Sequence, residues 1–167
     1  ETSEPEEVMG VLREYHAEMG RLNLEHDGTL ERFTGDGMMI FFNDPVPVPD
    51  PAPRAVRMAV AMRERVAEMI VTWRQQGYDL DFGVGIAQGY ATIGAIGFEG
   101  RWDYGAIGTV TNLAARLCGE ANPGQILVPQ RFLGTVEALV EVEPVGEVAL
   151  KGFHRPVTTY NVVSVRG

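Results

Sequence analysis

Lysine is almost missing from this chain: Lys151 stands alone against thirteen arginines. Cysteine is as scarce, and a single thiol, Cys118, excludes an internal disulfide and fits a reducing compartment. Positive charge is short overall, with 14 basic side chains against 23 acidic ones and a formal net charge of -9. That balance excludes a general nucleic-acid binder, which needs clustered cations along a phosphate backbone. No apolar run approaches the roughly 20 residues of a membrane-spanning helix, and no signal peptide opens the chain. An initiator methionine is also lacking, and Glu1 in its place gives the expectation of a piece cut from a longer polypeptide.

What is present is an ordinary globular balance over 167 residues, 45% hydrophobic and 22% charged. This length suggests one domain, 1–167, with its own core. Ser3-Glu4-Pro5-Glu6 reads as a helix start, followed by a stripe of Val8, Val11, Leu12, Tyr15, Met19 and Leu22 that ends near Asp27-Gly28. Two short runs around Gly35-Asp36-Gly37 predict a hairpin. The proline-dense stretch 44–53 predicts an extended loop. A second helix follows with Ala55, Ala59, Met62, Val66, Met69, Ile70 and Trp73 at spacings of three or four, closed by Gly77. Strands are predicted over 79–89 and 90–98, a helix over 109–121, and a turn at Asn122-Pro123-Gly124. A strand at 126–128, a short helix over 131–136 and strands near Val140, Val148 and Tyr160 complete the chain. Interleaved helices and strands give an α/β or α+β class with helices on one face of a sheet.

Few motifs carry chemistry by themselves. Gly83-Val84-Gly85-Ile86-Ala87-Gln88-Gly89 resembles a dinucleotide-binding loop, but a strand-like segment follows where a helix would have to open. Glycines inside strands mark close backbone approach or a bulge instead. Asp36 sits in a tight turn between apolar strands, where a carboxylate can hold a hard cation; Asp-Gly is equally what a hairpin turn uses, and alone that plainer reading is favoured. Asn112 and Arg116 lie four apart on one helix face, with Leu113, Ala114 and Leu117 between and beside them. An amide and a guanidinium together suit a ribose and a phosphate, although a solvated helix surface explains them too. Lys151, beside Gly152, can bind phosphate as a point charge or be an ordinary surface cation. His16, His26 and His154 have no partner at zinc-ligand spacing, and Cys118 is expected to pack in the core.

Taken in order, four segments resemble the catalytic domain of class III adenylate/guanylate cyclases. They are Phe33-Thr34-Gly35-Asp36-Gly37-Met38-Met39-Ile40-Phe41-Phe42, the 83–89 glycine segment, the run from Trp102 to Leu117, and Leu150-Lys151-Gly152-Phe153 with Pro156, Val157 and Tyr160. The resemblance implies a ferredoxin-like, antiparallel-rich sheet with helices packed on one face. It implies a head-to-tail homodimer with active sites at the interface, while the charge balance gives the expectation of no nucleic-acid partner. It implies ATP or GTP as substrate and two Mg2+ or Mn2+ ions held by paired carboxylates. By the same resemblance Asp36 is one metal carboxylate, Asn112 orients the ribose, Arg116 stabilises charge at the α-phosphate, and Lys151 holds the terminal phosphates. Each site would be shared, Asp36 serving one and Asn112, Arg116 and Lys151 of the same chain serving the other. A cytoplasmic location is implied, in a parent chain that carries regulatory domains and can be membrane-tethered.

Two departures stand out. The family's other metal carboxylate lies in a Phe-x-Asp-x-x-Gly-Phe type strand before the first helix, and no such segment occurs in these 167 residues. The expectation is a first strand missing and a fragment inactive on its own. The second concerns the base. Where adenylate cyclases carry lysine the chain has Arg32, and where they carry aspartate or threonine it has Gly105, with Asp103 close by as a substitute. Arg32 favours ATP. A guanylate cyclase and a degenerate domain that only binds nucleotide or dimerises are the alternatives.

Overall fold

The computed structural model describes residues 5–34, 37–42, 48–77, 81–88, 92–98, 101–107 and 109–166. For 5–8, 31–34, 37, 41, 92–98, 101–107 and 109–111 the description is of the backbone alone. Two long helices, α1 (Pro5–Glu25) and α2 (Pro51–Gln75), pack through one cluster of Val11, Met19, Leu22, Met58, Met62, Val66, Met69 and Trp73. Glu18 ties them at the rim, meeting Arg65 of α2 at 2.8 Å and Arg21 of its own helix at 2.8 Å. The hydrogen bond from Arg21, and then that from Arg65, holds the Glu18 carboxyl below its ordinary value.

Helix α2 begins inside the proline-dense stretch read as extended loop, which corrects that expectation. Asp50 caps it in the left-handed region (φ 45°), and Pro51 and Pro53 fall in the first turn. The first helical N–H groups have no intrahelical acceptor, so prolines there remove nothing. Residues 43–47 lie outside the described residues.

The predicted hairpin is β1 (Thr29–Thr34) paired antiparallel with β2 (Gly37–Phe41), its last register pair being Thr34 with Gly37. Met38, Ile40 and Phe42 pack on the α1–α2 cluster. A second hairpin joins β4 (Thr92–Phe98) to β5 (Arg101–Ile107). The sequence assigned no strand to 101–107, because Asp103 and Gly105 lower its strand propensity and hide the pairing with β4.

The main sheet runs in the order β3 (Val84–Gly85), β6 (Ile126–Pro129), β8 (Val157–Val165) and β7 (Val140–Val148). Only β3 and β6 are parallel in it. Of the strand expected over 79–89, the described residues 81–88 hold two ladder residues, extended by Val84 N–H to Gln125 O and Ile86 N–H to Leu127 O; 79, 80 and 89 lie outside the described residues. The strands expected near Val140 and Val148 are one strand, irregular at Pro144, which an edge strand tolerates.

Strand β6 is buried along its whole length and divides the core. Ile126 and Val128 meet Val56 and Ala59 of α2 and Phe132 and Val136 of α4 (Gln130–Val136). Leu127, between them and therefore on the opposite face, meets Leu117 of α3 (Thr109–Glu120) and Leu150. Buried Asn161 stitches the strands: its Oδ1 accepts from Ile126 N–H at 2.9 Å and its Nδ2 donates to Glu143 Oε1 at 2.8 Å.

Candidate functional site

The site is built on α3. Its apolar stripe, Leu113, Leu117 and Ala121, faces the sheet, and one turn apart on the exposed side lie Asn112 and Arg116. Lys151 is exposed in the turn between β7 and β8, which closes by a Phe153 N–H to Leu150 O bond of 3.1 Å. Gly152 there has φ 88°, a conformation glycine adopts without strain. Leu150 and Phe153, which bracket Lys151, share one apolar cluster with Leu113 and Leu117, which bracket Arg116. The fold therefore brings the α3 amide and guanidinium and the lone lysine onto neighbouring elements with a common support.

Asp103 and Gly105 lie in β5, two residues apart and so on one face of the strand, registered with Ile96 and Gly94. The chain enters α3 directly after β5. Arg32 lies in β1 opposite Met39, and β1 runs beside β5. The three candidate base-contacting positions thus fall on two neighbouring strands, of which β5 leads into the Asn112 helix. Asp36 lies outside the described residues; the pairs Phe33–Met38 and Thr34–Gly37 frame it on both sides. Among the described residues no group of three or more histidine, cysteine or acidic side chains is placed to hold a metal.

Cys118 corrects a sequence expectation: it is exposed, with its Sγ 3.6 Å from the Gly83 carbonyl oxygen. The inward stripe of α3 passes through Leu117, so its neighbour turns outward. Sequence reasoning also missed what holds α3 in place. The signal was present in Gly83-Val84-Gly85-Ile86, where glycine alternates with an apolar residue: Val84 and Ile86 pack toward α2 and α4, and the glycines lie under α3. A cavity of about 430 Å³, lined by Leu133, Glu137, Val140, Glu141, Val142 and Arg166, contains none of the candidate residues.

The architecture is that of a mixed α/β domain with an antiparallel-rich, ferredoxin-like sheet. A family model described as adenylate and guanylate cyclase catalytic domain matches residues 1–164, and the chain belongs to that family, the class III cyclases. The crystal structure of the adenylyl cyclase CyaB from P. aeruginosa superposes with a TM-score of 0.91 at 36% identity, covering 99% of this chain and 86% of that one. The guanylyl cyclase Cya2 gives a TM-score of 0.91 at 33% identity, covering 99% and 84%. Adenylate cyclase 1 of Rhizobium meliloti (strain 1021) is 31% identical over 164 residues, 96% of this chain and 25% of that protein. The chain spans about a quarter of the length of the curated relatives it matches.

Proposed function

We propose that this chain is the nucleotide-handling domain of a cyclase that converts ATP to cyclic AMP and pyrophosphate. The ribose 3′ oxygen attacks the α-phosphorus, its proton passing to water; the new 3′ O–P bond forms as the bond to the β-phosphate oxygen breaks and pyrophosphate leaves with that electron pair. The observation that carries this reading is the shared cluster of Leu113, Leu117, Leu150 and Phe153, which sets the Asn112–Arg116 face beside the Lys151 turn. Asn112 hydrogen-bonds the ribose, and Arg116 offers its guanidinium fork to the charge that grows on the α-phosphate. Lys151 meets the terminal phosphates as a point charge.

Asp36 offers the hard carboxylate oxygen that Mg2+ or Mn2+ prefers, at a position in the sequence between the paired strands β1 and β2. Held there and by a second carboxylate, two such ions would supply Lewis-acid activation of the 3′ oxygen. These 167 residues contain no second carboxylate motif of the metal type, so the proposal includes little turnover without a segment that supplies it. It also includes a head-to-tail dimer, in which Asp36 of one copy works with Asn112, Arg116 and Lys151 of the other. Regulatory domains in the rest of the protein, and its cytoplasmic placement with or without a membrane tether, belong to the proposal as well.

For the base, Arg32 supports ATP through its cationic side chain, while Gly105 supports GTP by removing the residue adenylate cyclases place there. The names of the solved relatives divide the same way, one an adenylyl and one a guanylyl cyclase.

The test is cyclic-product formation by the full-length protein with Mn2+ and either nucleotide. Cyclic AMP is expected. Arg116→Ala should lower kcat by about 100- to 1,000-fold, as loss of a transition-state charge contact does. Lys151→Ala should act more on KM. Cyclic GMP alone would reassign the base, and no product from either nucleotide would leave a domain that binds nucleotide or dimerises without catalysis.

A further inference from the structure

Gly85 carries no functional group, yet it lies directly under the helix that bears both proposed ribose and phosphate contacts. A Cβ built on it would collide with three atoms of α3: the Ala114 carbonyl oxygen, the Cys118 amide nitrogen and, at 2.8 Å, Leu117 Cβ. Residues 114 and 118 are an i, i+4 pair, so the first two atoms belong to one hydrogen-bonded turn of the helix. Arg116 lies within that turn. Backbone atoms cannot rotate aside as a side-chain end can. Any side chain at position 85 must therefore move the helix itself.

We propose that Gly85 is a positioning residue for the cyclase reaction, setting how deeply α3 seats on β3 and hence where Asn112 and Arg116 stand. This rests on the cyclase reading above. The other side of the strand fixes the reference level, because Val84 packs into the α2–α4 core and Gly85 pairs in parallel register with buried Leu127. The helix thus rests on a strand held from beneath, with no side chain between them at its central turn. Gly83 repeats the arrangement more loosely near the end of α3, where an added Cβ would lie 2.9 Å from the Ala121 Cβ. That neighbour is a methyl carbon fixed to the backbone just past the helix, so the end of α3 must shift, by less than at position 85 and farther from Arg116.

Relieving the contact at position 85 requires a helix displacement of about 1 Å, and a misplacement of that size can cost about 100-fold in rate. In the full-length protein Gly85→Ala should therefore lower kcat by roughly 10- to 100-fold with little change in KM, because the lost interactions are those made in the transition state. Gly83→Ala should lower kcat only severalfold. Val84→Ala removes core volume from the same strand without touching α3; it should lower thermal stability but leave kcat near wild type. A merely structural role for Gly85 would make it behave like Val84.

A second readout does not depend on catalysis. Cys118 is the chain's only cysteine, is exposed, and lies on the turn that must move. Its reaction rate with a thiol reagent should change at least severalfold in Gly85→Ala and stay near wild type in Val84→Ala. Unchanged kcat together with unchanged Cys118 reactivity in a folded Gly85→Ala protein would overturn the proposal. If that variant fails to fold, Gly83→Ala decides, and an unaltered kcat there overturns it. Should the wild-type protein yield no cyclic product from either nucleotide, the cyclase reading fails, while the thiol rates still judge whether Gly85 seats α3.

Discussion

Leu117→Ala probes the joint between the two halves of the candidate site. Leu117 is fully buried, and it meets Leu127 of β6 from one side and Leu150, next to Lys151, from another. Truncation of a buried leucine to alanine costs about 2–5 kcal/mol, the spread reflecting how far the surroundings collapse into the cavity. Here the cluster holds three buried residues, and half-buried Leu113, Val148, Phe153 and Val157 border it, so partial collapse is open to it. The lower half of the range, about 2–3 kcal/mol, is expected. For a domain of this size that corresponds to a fall in Tm of about 4–12 °C. The assay is urea unfolding, with a lowered midpoint and an unchanged m-value. Leu24→Ala is the control: Leu24 is 77% exposed on α1, and its removal should stay within about 0.5 kcal/mol. Nucleotide turnover by Leu117→Ala should fall as well, since α3 and the Lys151 turn lose their common support. Equal and small losses of stability for Leu117→Ala and Leu24→Ala would refute the packing argument on which the site rests.

Three further outcomes are expected. Glu18 has its carboxyl held low by Arg21 and Arg65, so its contribution is present above the unfolded value of about 4.3 and is lost as the pH falls through the folded value; Glu18→Gln should therefore destabilise near neutral pH and converge with wild type in acid, as urea midpoints along a pH series would show. Asn161→Ala leaves the buried Ile126 N–H without its acceptor and should cost about 1–3 kcal/mol in the same unfolding assay. Asn161→Asp keeps that acceptor but sets a second carboxylate against Glu143, so its stability should recover relative to wild type as the pH is lowered.

The order of the elements was legible because periodicity is local. The α1 and α2 stripes, the Asp-Gly hairpin and the Ile126-Leu127-Val128 run are all readable from spacing, and each forms where expected. What escaped depends on partners distant in sequence. Strand β5 exists through its pairing with β4, not through the propensity of Arg101–Ile107. The start of α2 at Pro51 depends on the orphan donors of a first helical turn, which allow prolines that a loop reading takes as breakers. Cys118 differs from its buried neighbour Leu117 by one step around the helix.

The site was legible as separate residues. Asn112 and Arg116 share a face by spacing alone, but their connection to Lys151 runs through Leu117 and Leu150, residues 33 positions apart in a cluster that no local pattern reveals. The role of Gly85 was half visible: the sequence marked a close backbone approach, and the structure identified α3 as what approaches.

The shared-site claim is tested most directly by mixing two inactive variants of the full-length protein. Asp36→Ala and Arg116→Ala should each be nearly inactive alone, since each removes a residue that every site needs. In random mixed dimers half the pairs are heterodimers and one of their two sites is intact, so about a quarter of wild-type cyclic-product formation should return. A mixture no more active than its two components would contradict the account.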